Sequence, residues 1–238
     1  MSWTDIKSIE TMKKLRDRFN VKVFVETGTF RGNNAEVHSR NFETVLTVEI
    51  EPEYYFRSKK RLYNYTNVYQ TLANSPDYLR KILPALKTVG TVMFFLDAHF
   101  YDATLPPEDK WVVVQELRAL EGFENCIIII HDFNCNGLGG LKYDGQPLDF
   151  DLVYEHLFNA NPNFSYYFNE FSGCDILTKE KLNDGKMPPL VLDDDIEDTL
   201  NFVWSQYPFT LTRSHRGILY AVPEKLDLTQ FELVETYQ

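Results

Sequence analysis

Short apolar runs separated by longer mixed segments organise most of the chain, and each change of period marks a change of element. Ile6, Ile9, Met12, Leu15 and Phe19 recur at helical spacing, so Asp5–Phe19 reads as an amphipathic helix. Val21–Val25 follows as a strand, and a glycine turn leads into a helix around Asn34–Arg40. Thr44–Ile50 is the second strand, with a helix opening at Pro52 in the first-turn position that proline favours. Asn67–Leu72 is the third strand. Ser75 then reads as a helix N-cap, with Pro76 and Asp77 in the first turn. Thr91–Leu96 is the fourth strand, and Pro107–Leu120 puts Trp111, Val114, Leu117 and Leu120 on one helical stripe. Cys126–Ile130 holds four consecutive isoleucines, as a strand buried on both faces requires.

Beyond that strand come a glycine-rich loop (134–145), a helix near Phe150–Asn159, a strand at Phe164–Phe171 and a closing strand at Gly217–Val222. A mixed segment at about 172–215 lies between the last two and reads as an insertion that shapes a substrate site. Regular strand–helix alternation predicts an α/β fold: a Rossmann-like, doubly wound, mostly parallel sheet with right-handed crossovers. With no repeat and no long linker, residues 1–238 read as one domain.

Ligands of such sheets bind where the strands end. Those ends read Glu26-Thr27-Gly28, Glu49-Ile50-Glu51, Ala73-Asn74-Ser75, Asp97-Ala98-His99 and His131-Asp132-Phe133-Asn134. A sheet with only a structural task has no need of five polar ends in succession. In the first turn Gly28 permits a tight bend and Gly32 lets the helix pack closely, but Phe30 stands where a dinucleotide fingerprint has its second glycine. Glu49, 21 residues after Gly28, is placed to accept hydrogen bonds from ribose hydroxyls. A nucleoside without phosphates, carrying a positive centre, suits so acidic a set.

Composition narrows the partners. A net charge of −11 disfavours nucleic acid, since phosphate binding needs a basic face, and the "RSKKR" cluster (57–61) reads as a solvated helix face. No apolar stretch approaches the ~18 residues of a membrane span, and the first residues lack the apolar core of a signal peptide. Three cysteines (Cys126, Cys135, Cys174) without zinc-like spacing point to a reduced, cytoplasmic setting. A homodimer is the assembly this reading leaves open.

Taken in order, "ETGTFRGN", "VEIEP", "LDAHF" and "IIIIHDF" resemble the class I S-adenosylmethionine-dependent methyltransferases over about residues 20–135. Within them the set is similar to a small bacterial and viral branch with an LDAH motif, often found in glycan or capsule biosynthesis. The resemblance implies S-adenosylmethionine as cofactor. Glu26, Gly28 and Gly32 would line its methionine end with Thr27 and Asp97 beside them, Glu49 would hold the ribose, and Asn74 and Ser75 would lie near the adenine. It implies O-methylation, with a sugar hydroxyl of a glycan or its activated precursor as the favoured acceptor and a small phenol as the alternative. Trp204, Tyr207, Phe209, Tyr143 and Tyr166 are candidate ring-stacking residues.

An alcohol needs help to become a nucleophile at neutral pH. His99 is the expected base, with Asp97 beside it and His131 in reserve; alternatively Asp97, Asp132 and Asn134 would hold Mg²⁺ or Ca²⁺ through oxygen. Plainer roles stand beside these. Glu26 as a satisfied internal acid, Asn74-Ser75 as a helix cap, and either histidine as a structural residue all fit the pattern. Asp193 and Asp195 in "LDDDIED" offer a different class, a metal-dependent nucleotide-sugar glycosyltransferase. A catalytically silent binding protein on the same fold is the third.

Overall fold

The computed structural model describes residues 6–106, 109–135, 140–169, 217–231 and 233–235. Helix α1 (Ile6–Phe19) precedes the alternating units β1 (Val23–Thr27), α2 (Asn33–His38), β2 (Thr44–Glu49), α3 (Pro52–Leu62), β3 (Val68–Leu72), α4 (Ser75–Leu86), β4 (Val92–Leu96), α5 (Val112–Ala119) and β5 (Cys126–Phe133). A small hairpin, β6 (Lys142–Tyr143) and β7 (Gln146–Pro147), leads to α6 (Phe150–Ala160), β8 (Ser165–Asn169), β9 (Gly217–Val222) and β10 (Leu233–Glu235).

Eight strands form one sheet in the order β3-β2-β1-β4-β5-β9-β8-β10. The first five run parallel, while β9 is antiparallel to both β5 and β8, and β10 is antiparallel to β8. This is the expected Rossmann-like, class I methyltransferase fold. Period-two alternation divides its core between two layers. Val23, Val25, Phe94, Ile128 and Ile130 pack with Leu79, Leu117 and Leu157 of α4, α5 and α6. Phe24, Val45, Met93, Phe95, Ile127 and Ile129 face the other way, onto Met12 and Leu15 of α1. Because β1 lies between β2 and β4, and β4 beside β5, the ends of these central strands open at one place.

Several boundaries differ from the pattern-based expectation. α5 starts at Val112 rather than Pro107, with Trp111 at its N-cap in extended backbone. The amides of Asp102 and Val112 donate to the carbonyls of Lys110 and Phe100, at 2.9 and 3.1 Å, so 100–112 folds back on itself as a loop. Asn74 is the N-cap of α4, not Ser75, and its side chain makes no capping bond. β5 runs three residues past Ile130, through an irregular register. Part of the expected loop is the β6–β7 hairpin, turned by Asp144 (φ 49°) and Gly145 (φ 83°), an Asp-Gly signal that the sequence carried. The expected insertion and its candidate residues Trp204, Tyr207, Phe209, Asp193 and Asp195 lie outside the described residues. No helix among the described residues is long and apolar enough to cross a membrane.

One buried ion pair fixes the helix that leaves the glycine turn. Glu36 of α2 accepts from Arg61 Nη1 of α3 at 2.9 Å and from the Tyr65 hydroxyl at 2.6 Å, with the paired side chains each 6% exposed. Arg61 is thereby withdrawn from the "RSKKR" face. Removing one partner of such a pair strands the other charge in the interior, at a cost of about 3–5 kcal/mol. Arg61→Ala should lower unfolding stability by that order in urea titrations, and Tyr65→Phe by about 1.5 kcal/mol. A parental midpoint for Arg61→Ala would show that the clamp contributes nothing.

Candidate active site

The turn after β1 is built around two acids. Gly28 (φ 81°) and Thr29 both donate backbone N–H to Val48 O, at 3.0 and 3.1 Å, folding the chain across the end of β2. A Cβ on Gly28 would lie 2.7 Å from Asp97 O and 2.9 Å from Ala98 Cα, so only glycine lets the turn lie against the end of β4. Gly32 (φ 80°) makes a similar approach to Ser58 and Leu62 of α3, so its close packing is against a helix and not the strand. Phe30 takes the left-handed φ of 48° that glycine would supply at little cost. Its amide donates to Glu49 Oε2 at 2.7 Å, while Glu49 Oε1 accepts from the amides of Ile50 and Glu51, each at 2.9 Å. Glu49 therefore ties the two turns together with three of roughly four acceptor sites used.

Glu26 lies beneath this turn and is 1% exposed. Asn34 Nδ2 donates to one of its oxygens at 2.8 Å and Thr47 Oγ1 to the other at 2.7 Å, joining α2, β1 and β2. Thr27, fully buried, accepts the amide of Asp97 at 3.2 Å on its hydroxyl.

At the ends of β4 and β5 four side chains converge. Asp97, His99, His131 and Asp132 each offer one ligand atom, and these four atoms all lie within 4.8 Å of one another. His99 Nε2 is 2.5 Å from Asp97 Oδ1 and 3.2 Å from Asp132 Oδ2; His131 Nδ1 is 3.3 Å from Asp97 Oδ1 and 3.2 Å from Asp132 Oδ1. His131 and Asp132 are sequence neighbours that a regular strand would point to opposite faces. The register shift between Ile130 and Phe133, with Asp132 at φ 55°, brings both to one point. His99 is also left-handed, at φ 38°. Burial pushes Asp97 up, but the imidazoles of His131 and His99 overcome it and hold the carboxyl well below the usual range. Asp132 is held at about 2 against its own burial, by His131 first. Burial lowers His131, yet Asp97 and Asp132 raise it to about 10.

Other expected residues are placed differently. Asn134 is exposed and its amide donates to Leu148 O at 2.7 Å, and the four-residue cluster is complete without it. Asn74 is exposed and Ser75 buried at the start of α4. Tyr166 is 6% exposed and packs among Phe150, Tyr154 and Phe164, which makes it core. Tyr143 stacks on Tyr101 with centroids 5.1 Å apart, and Trp111 packs beside both. Glu116 was not foreseen: it is fully buried on α5, neither oxygen has a hydrogen-bond partner, and Ser75 and Thr27 are its polar neighbours. A lone glutamate in the apolar "WVVVQEL" stripe was the available signal.

No protein-family model and no curated protein matches the chain. Among solved structures, the methyltransferase domain of a bacterial Hen1 shares 10% identity, covering 91% of this chain and 98% of its own, with a TM-score of 0.48. The plantazolicin methyltransferase BamL, solved with S-adenosylhomocysteine, gives 13%, 92% and 85%, with a TM-score of 0.45. An rRNA methylase from Streptococcus thermophilus gives 12%, 92% and 96%, with a TM-score of 0.44. These likenesses are loose, and the fold assignment rests on the strand order and pairing described above.

The buried acids set a pH dependence of stability. Burial raises Glu26 from 4.5 to about 8 and Glu116 from 4.5 to about 7. Between pH 4.5 and those values the folded chain binds more protons than the unfolded one, so stability falls as pH rises. His131, raised from 6.5, adds the same sign only above pH 6.5, whereas burial lowers His38 from 6.5 to about 3 and opposes the carboxyls between pH 5 and 6.5. It is therefore the difference between parent and variant over that interval that isolates Glu26. Glu26→Gln should reduce the downward slope in urea midpoints over that interval and exceed the parent by about 1 kcal/mol or more at pH 8. Parallel profiles for parent and variant would show that Glu26 ionises inside the fold as freely as outside it.

Proposed function

We propose that the chain is an S-adenosylmethionine-dependent methyltransferase acting on a hydroxyl oxygen. The observation that carries this reading is one adjacency. The glycine turn lies against Asp97 O, and Asp97 is also a corner of the carboxylate–imidazole cluster. A cofactor seated on the turn would therefore have its reactive end beside groups able to deal with a hydroxyl proton.

The residues fit such a nucleoside. Glu49 keeps one acceptor site and exposed Glu51 adds a second carboxylate for a ribose diol, while Arg31, the basic residue of the turn, lies over the Phe30 ring. Both oxygens of Glu26 are already engaged, so its part is to hold α2 and β2 around the turn. The bound cofactor supplies an electrophilic methyl group on a positively charged sulfur. The chain must then place an acceptor oxygen in line with that methyl and relieve it of its proton. His131, raised to about 10, keeps its proton at neutral pH and serves as a fixed charge, which leaves His99 as the base if no cation lies among the four side chains.

We favour a neutral polyhydroxylated acceptor such as a sugar. The net charge of −11 repels polyanions, and Phe100, 60% exposed beside His99, offers a flat apolar face next to the stacked Tyr101 and Tyr143. A phenol is the narrower alternative, since the same face would also accept an aromatic ring.

Calorimetric titration separates the classes. S-adenosylmethionine and S-adenosylhomocysteine should bind, nucleotide sugars should not, and sugar acceptors should drive turnover to S-adenosylhomocysteine. Glu49→Gln replaces an acceptor with an amide that cannot serve all three backbone donors, so cofactor affinity should fall about 10- to 100-fold. Binding of a nucleotide sugar with none of S-adenosylmethionine would overturn the assignment, and turnover only on RNA or DNA would overturn the acceptor class.

A further inference from the structure

We infer that Asp97, His99, His131 and Asp132 form a mixed imidazole–carboxylate metal centre that selects a transition-metal dication such as Zn²⁺, Co²⁺ or Mn²⁺ over Mg²⁺ and Ca²⁺. The first support is how the atoms face one another. Asp97 Oδ1, His99 Nε2 and His131 Nδ1 are buried, lie within 2.5–3.3 Å of opposite partners, and still make no hydrogen bond. The atoms are at contact distance, yet the N–H and lone-pair directions do not line up into hydrogen bonds. Buried polar atoms without hydrogen bonds are costly, so three at one point call for a further partner.

Spacing is the second support. Four ligands at bond lengths of about 2.0–2.2 Å around a tetrahedral ion sit about 3.3–3.6 Å apart. Three of the four measured separations are 3.2, 3.2 and 3.3 Å, and a cation enters once the fourth, 2.5 Å between His99 Nε2 and Asp97 Oδ1, opens by about 1 Å. Backbone strain is the third. His99 and Asp132 both adopt left-handed φ, and non-glycine residues held there mark places where the surroundings fix a side chain against local preference.

Ligand chemistry then selects the ion. Mg²⁺ and Ca²⁺ take oxygen ligands almost exclusively, whereas imidazole nitrogen suits Zn²⁺ and the later first-row dications such as Co²⁺, with Mn²⁺ at the weak end of that series. Two carboxylates neutralise the dication and two imidazoles complete the set, the proton that His131 carries without metal leaving as the ion enters; water or an acceptor oxygen would bind by expansion to five-coordination. This set differs from the all-oxygen one expected from Asp97, Asp132 and Asn134. It also changes the task of His99, from base to ligand: an alcohol bound to the ion would lose its proton to solvent more readily. The role in methyl transfer rests on the function proposed above; the metal site itself does not.

The test needs no cofactor and no turnover. Chelator-stripped full-length protein is titrated separately with Co²⁺, Zn²⁺, Mn²⁺, Mg²⁺ and Ca²⁺ by calorimetry, and Co²⁺ binding is followed by its visible absorption. One equivalent of Co²⁺ or Zn²⁺ should bind at least about 100-fold more tightly than Mg²⁺ or Ca²⁺, with intense visible bands of a low-coordinate nitrogen–oxygen site. His99→Ala and His131→Ala, each checked for parental circular dichroism, should weaken Co²⁺ binding by at least about 10-fold and alter those bands. Should either variant unfold, the wild-type order of affinities still decides. Tighter binding of Mg²⁺ or Ca²⁺, or no ion bound by folded wild-type protein, overturns the centre. Because S-adenosylmethionine is absent throughout, that failure leaves methyl transfer untouched, and a failure of cofactor binding leaves the metal centre untouched.

Discussion

Three neighbouring strand ends are turned by left-handed residues that are not glycine: Phe30 after β1, His99 after β4 and Asp132 within β5. Each such residue costs on the order of 1–2 kcal/mol against an ordinary helix or strand conformation. The surrounding sheet can impose that cost because β1 and β4 are buried at all five positions and paired on both sides. What the strain achieves is direction. A strand that simply continued would alternate its side chains between the two apolar layers, where carboxylates and imidazoles have no place. Turned at the end of the sheet, the same residues meet across the gap between β4 and β5.

Acidic residues divide into two groups according to what they face. Glu26, Glu36 and Glu49 face the chain itself, accepting from side chains or backbone amides that fix the glycine turn and the helix after it. Asp97 and Asp132 face each other and two histidines. The first group makes the turn rigid, and the second gathers charge opposite two imidazoles at the ends of β4 and β5. Much of the acidity at the site is therefore internal scaffolding, held by hydrogen bonds within the chain.

The architecture was legible because its signals are periodic and strong. Four isoleucines in β5, the helical stripe of α1 and the regular alternation of elements could hardly belong to another fold class. The polar residues that gather at the strand ends were legible too, since such residues after apolar strands are conspicuous. Its geometry was not. Phe30 looks like a lost glycine in the sequence, yet the backbone keeps the glycine conformation and a carboxylate from β2 holds it. His131 and Asp132 look mutually exclusive until a register shift brings them together. Glu49 reads as a ribose acid, but three backbone donors reach it first. In each case the deciding interaction joins residues distant in sequence or depends on one backbone dihedral, and no local pattern encodes either.

The contact between Gly28 and Asp97 joins the two halves of the site. Gly28 has no side chain at the point where the turn meets the carbonyl of Asp97, and the Asp97 amide is held by Thr27 one residue earlier in the same turn. The first carboxylate of the cluster is thus fixed by the same backbone that forms the cradle. Any side chain at position 28 would press on Asp97–Ala98 and displace that carboxylate along with the turn. The glycine that the resemblance assigns to cofactor approach alone also sets where the Asp97 carboxylate stands, so the turn and the four-residue cluster share one backbone contact and cannot vary independently.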